Sequence, residues 1–88
     1  MAITSAQITI GLTPTAIDGT STNPIRLHIH NNDNTNNIYL GNGSVTTTTG
    51  LELTKLDSME ITLNPGEELY AVSASTGHVI SWLKQTMD

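Results

Sequence analysis

Few side chains in this sequence could do chemistry. His28, His30 and His78 are its three histidines, and histidine is the side chain that titrates near neutral pH. His28 and His30 form an H-x-H pair, and on an extended chain they share one face. Two imidazoles on one face begin a metal site, but a catalytic centre needs a third protein ligand. The next acid, Asp33, falls in an asparagine-rich run, and His78 stands far along the chain. The ligand set is incomplete, so no metal is expected. Asn31, Asp33, Thr35 and Asn37 alternate like the first ligands of a calcium loop. Such a loop needs a sharp-turn glycine and a closing glutamate, where this chain has Asn36 and Asn42. Glu67 and Glu68 are adjacent, so on an extended chain they point apart. There is no cysteine, no serine elbow and no glycine-rich phosphate loop. No catalytic residue, no cofactor and no enzyme activity are expected. Trp82 could stack on a sugar, but where aromatics are this scarce, packing is the expected use, as it is for Tyr39 and Tyr70.

The composition narrows the partners. Three basic residues stand against eight acidic ones, a formal net charge of −5. Arg26, Lys55 and Lys84 are scattered, so the basic cluster that a phosphate backbone requires is missing. Nucleic acid and anionic membranes are not expected partners. The opening, Met1 to Ile10, lacks the basic start and long apolar stretch of a secretion signal. The pattern Asn42-Gly43-Ser44 therefore carries no expectation of glycosylation. A chain of 88 residues is expected to form a single domain, residues 1–88, with a thin core. Without disulfides, contact with partners is a natural source of extra stability.

The elements that must position these residues read as strands. Period-two alternation recurs in QITIGL, IRLHIHN, IYLG and SMEITL, as in half-buried strands, and LYAVSA and HVISWLKQ follow turn signals as further strands. With a short strand near Ile17, that makes about seven strands, an all-β antiparallel sandwich or jelly-roll-like barrel. Leu27, Ile29, Ile38, Leu40, Ile61, Leu63 and Leu69 are expected inside. HNNDNTNN is expected to be a hairpin loop between Ile29 and Ile38. SMEITLNPGEELYAVSA is expected to form a second hairpin, turned at Pro65 and Gly66. The threonine run before Gly50 suits an extended or edge segment. A helical turn is possible around Leu51 to Leu56.

IYLGNGSVTTTTGLEL, followed by LNPGEELYAVSASTG, resembles a pattern in small virion structural proteins of tailed bacteriophages. The matching positions are Ile38, Tyr39, Leu40, Gly41, Val45, Thr46, Gly50 and Leu53, then Leu69, Tyr70 and Ala71. The likeness spans Leu27 to Trp82 and departs at Lys55 and Asp57, where proline and glycine are usual. It implies a β-sandwich or jelly-roll module with a structural role. The leading expectation is a capsid decoration, or cement, protein on the virion surface, made in the host cytoplasm. Its partners would be the major capsid protein and copies of itself, as a trimer. The alternatives are a tail, neck or spike component that docks on the virion or recognises a host glycan, and a small metal-dependent cupin-like enzyme. Residues 1–12 are expected to act as an arm or edge strand, since an unpaired apolar strand there would leave an open edge. Ile3, Ile8, Ile10, Tyr39 and Trp82 are the expected interface residues.

Overall fold

The computed structural model describes residues 3–18 and 22–86. These residues form eight strands and no helix. They are β1 (Ile3–Ile10), β2 (Thr15–Ala16), β3 (Ile25–Asn31), β4 (Ile38–Gly41), β5 (Leu51–Leu53), β6 (Ser58–Leu63), β7 (Tyr70–Ser73) and β8 (His78–Thr86). One sheet has the order β1-β8-β3-β6 and the other β2-β7-β4-β5. All pairings are antiparallel.

The order follows from a single folded ribbon. β1 pairs with β8, β2 with β7, β3 with β6 and β4 with β5. Rolling that ribbon up sets β8 beside β3 and β7 beside β4. Two facing four-stranded sheets joined in this way are a jelly roll. The fold is therefore the all-β jelly-roll sandwich expected, with eight strands. The additional strand is β5, which replaces the helical turn expected near Leu51.

Alternation along β3 shows why these residues make strands. Ile25, Leu27, Ile29 and Asn31 are buried, while Arg26 and His28 are exposed. Ile10, Ile25, Leu27, Ile29, Ile38 and Ile80 are at most 2% exposed and form the centre of the core. Each such side chain contributes about 1.5–3 kcal/mol on burial. Of the expected inward set, six are buried; Ile61 is half-buried and packs at the margin of the core. Ile10 was expected at an interface, yet it is fully enclosed inside its own chain because its side chain faces the opposite sheet.

Two local expectations fail for one reason, and a third fails locally. β3 and β4 lie in different sheets, so HNNDNTNN is not a hairpin loop but a crossing between layers. β6 and β7 are also in different sheets, so the NPGEE turn crosses as well. That turn has the expected local form, with Gly66 at φ 83° and Glu67 N donating to Asn64 O at 3.0 Å. Turn chemistry sets the bend but not the sheet that the following strand joins. Among the described residues, the connection that stays within one sheet is β4–β5. There the threonine run forms a turn instead of an extended segment, with Gly50 N donating to Thr46 O at 2.9 Å.

Candidate functional site

The asparagine-rich run is densely hydrogen-bonded. Asn31 ends β3 on its inward face and is fully buried. Its amide Nδ2 donates to Asn36 O at 3.0 Å, and to Leu53 O and Thr54 O at 3.3 Å each. Its Oδ1 accepts from Asp33 N at 3.0 Å. A buried amide is tolerable only when satisfied in this way. Asn32 reaches the other sheet neighbour: its Nδ2 donates to Ser81 Oγ at 2.7 Å. Asn37 Oδ1 accepts from Lys55 N at 3.1 Å. The run therefore ties β3 and β4 to the end of β5 and to β8.

Asp33 is the centre of this hub. Its Oδ1 accepts from Thr35 N at 2.7 Å, Thr35 Oγ1 at 2.8 Å and Asn36 N at 2.9 Å. Its Oδ2 is bonded to His78 Nδ1. The other ring nitrogen, Nε2, lies 2.5 Å from Ser75 Oγ. The Thr35 backbone amide, then the Thr35 hydroxyl and His78, hold the Asp33 carboxyl well below the usual carboxylate range. Donors aimed at the charged form have this effect.

Serine, histidine and aspartate in this order match the parts of a nucleophilic relay. What they do here is set by their positions. Asp33 lies in the β3–β4 crossing, Ser75 in the β7–β8 crossing, and the buried His78 starts β8. The chain of bonds thus pins two sheet crossings together at one end of the sandwich. Acyl chemistry would also need donors converging on an oxyanion, and Ser75 N is already committed to Ser73 Oγ at 3.3 Å.

His28 and His30 lie on the outer face of their sheet, opposite Glu60 and Ser58 on β6. His78 is on the inner face at the start of β8, so the three histidines do not converge. No cluster of three or more His, Asp or Glu side chains suited to a metal occurs among the described residues. Sequence spacing could not have found the Asp33–His78 pair, because those residues are 45 positions apart.

The residues that resemble the virion pattern form a packing unit. Val45 is buried between Gly41 and Gly50. A Cβ on Gly41 would lie 2.8 Å from Val45 Cγ2, and one on Gly50 2.7 Å from Tyr39 Cβ. Both glycines are needed for the close approach of this hairpin to Val45, so the pattern is one of folding. Tyr39 is half-buried on β4. Trp82 faces inward from β8, paired with Ile29 and Ala6, and packs half-buried against the core with Ile8. Ile3 is 67% exposed.

No protein-family profile and no curated protein matches this chain. Among solved structures, a chain from Bacillus endospore appendages, described as a novel family of disulfide-linked pili, has a similar fold. The TM-score is 0.53 at 18% identity, covering 99% of this chain and 87% of that one. This likeness is one of fold: a small β-rich sandwich.

Proposed function

We propose that this chain is a non-enzymatic structural subunit of a virion, a capsid decoration protein that binds the outer capsid surface together with copies of itself. The observation that carries the reading is the contrast between the hydrogen-bonded hub at one end of the sandwich and one long, uncharged edge strand, β1. A subunit of this kind is rigid within and open to partners at a defined place. The resemblance of the Ile38–Leu53 and Leu69–Ala71 blocks to phage virion modules supports the capsid location. The likeness in fold to a chain described as forming pili supports a role in assembly. The linkage by disulfides cannot carry over, since this chain has no cysteine; its contacts would be noncovalent.

Ile3, Ile8, Tyr39 and Trp82 remain the proposed contact residues. Of these, Ile3 is the most open, and Ile8, Tyr39 and Trp82 are half-buried within the chain. Ala2, part of the same proposed arm, lies outside the described residues. The test is to add purified protein to capsids that lack it and image the particles. Density on the capsid surface at symmetry-related positions is expected. A few copies confined to the tail or a vertex would favour the tail or spike alternative, and absence from the particle would sink the virion reading.

A further inference from the structure

We infer that β1 is the self-association edge of this protein, pairing antiparallel with β1 of a second copy about a two-fold axis at Ala6. The inference deepens the assembly reading above and rests on it for its biological setting, but its physical basis is separate.

The two sheets have four edge strands, β1 and β6 in one and β2 and β5 in the other. Unprotected edges invite pairing, and proteins blunt them by shortness, charge or proline. β2 has two residues and β5 three. β6 carries Glu60, with Asp57 just before it and Pro65 soon after. β1 has eight residues, ITSAQITI, without charge or proline. Its main-chain bonds run to β8, and Ile3 to Gln7 are exposed on both faces. Thr4 and Ala6 belong to the inward side by register, opposite Lys84 and Trp82, yet they too are exposed. This half of β1 therefore projects beyond the cover of the opposite sheet.

A second copy is the partner that the chemistry fits. Each chain carries a formal charge of −5, so copies must meet where charge is absent. From residue 1 to residue 17 there is no charged side chain, and the first, Asp18, is met by Lys84 at 2.8 Å. Joining β1 to β6 of another copy would instead set Glu60 beside a strand that offers no basic partner. The sequence of β1 is also nearly symmetric about Ala6. Antiparallel pairing about that residue sets Ile3 against Thr9, Thr4 against Ile8, Ser5 against Gln7 and Ala6 against Ala6. β-branched residues meet β-branched ones and polar residues meet polar ones, pairings that favour cross-strand packing. Each pair also lies on one face, because the two members are separated by an even number of positions. Two four-stranded sheets would then continue as one.

The chain has no cysteine, so disulfide trapping of the free protein has no background. Facing Cα atoms in antiparallel strands are about 4.5–5.5 Å apart, within the range that a disulfide spans. Ala6→Cys is expected to form a covalent dimer under mild oxidation, and Ser58→Cys on β6 to stay monomeric. As a second measurement, Ser5→Lys with Gln7→Lys should weaken self-association in sedimentation equilibrium at least tenfold, while its circular dichroism stays unchanged. The inference is overturned if Ala6→Cys does not dimerise, if mixing it with Ser58→Cys gives the heterodimer instead, or if the lysine variant associates like the parent. All of this is read without capsids. Dimers that fail to bind capsids would therefore sink the virion reading alone, and capsid binding by a strictly monomeric protein would sink this inference alone.

Discussion

The two ends of the β1–β8 pair are opposites. Near Ile10 and His78 the strands run into the asparagine hub, where Asn31, Asp33, His78 and Ser75 exchange hydrogen bonds across two sheet crossings. Near Ile3 and Gln85 the same ribbon projects with β1 exposed on both faces. Polar residues are abundant in both regions, but they do different work. At the hub they satisfy backbone groups buried by the crossing of two layers. Along β1 they keep an open strand soluble while leaving its edge available. Polarity alone therefore does not mark a surface for binding or for stability; what matters is whether its partners are already present within the chain.

This contrast predicts that stability and association can be broken separately. The largest loss of stability is expected from Ile29→Ala beneath the hub, since deleting a fully enclosed side chain costs about 2–5 kcal/mol. Urea unfolding measures it, and a change under about 0.5 kcal/mol, the usual surface range, would remove Ile29 from the core. Gly50→Ala drives a methyl to within 2.7 Å of Tyr39 Cβ and 2.8 Å of Val45 Cγ2. Overpacking of this kind costs about 1–3 kcal/mol, so the thermal midpoint should drop clearly. Asn31→Ala leaves the carbonyls of Asn36, Leu53 and Thr54 without their amide donor, and a loss of about 1–3 kcal/mol is expected. An unchanged unfolding curve would show that water replaces that amide freely.

The pH dependence sharpens the same comparison. The Asp33 carboxyl titrates below its ordinary value when folded, so its contribution is present above about pH 3.9, the unfolded value. It is lost as pH falls below that point towards the depressed folded value. Asp33→Asn should be less stable than the parent at pH 6, and the gap should narrow on acidification to pH 3. A gap that stays constant would mean that the charge at Asp33 contributes nothing. The smallest effect is expected from Ile3→Ala, within about 0.5 kcal/mol as for other surface sites. A loss as large as that at Ile29 would show that the bare edge is covered within the chain.

Much of the architecture was legible in the amino-acid order. The alternation of Ile25, Leu27 and Ile29 against Arg26 and His28 marks β3 whatever packs upon it, because a pleated strand sends successive side chains to opposite faces. Pro65 and Gly66 likewise foretell the turn at Gly66. The absence of cysteine and of clustered basic residues belongs to composition and needs no fold. The sheet that each strand joins was decided elsewhere. Both presumed hairpins have suitable turn residues, yet their strands separate into different layers, because β6 finds its partner in β3 and β7 finds its partners in β2 and β4. β5 was missed because a strand of three residues is too short to show a period. Ile10 alternates like Ile8, and only the cover of the opposite sheet makes one wholly buried and leaves the other partly open. The hub depends on the same packing. Asp33 and His78 meet because the rolled ribbon brings the start of β8 beside the end of β3. Local spacing records the direction in which a side chain points, but contacts between distant residues arise only when the two layers close on a common core.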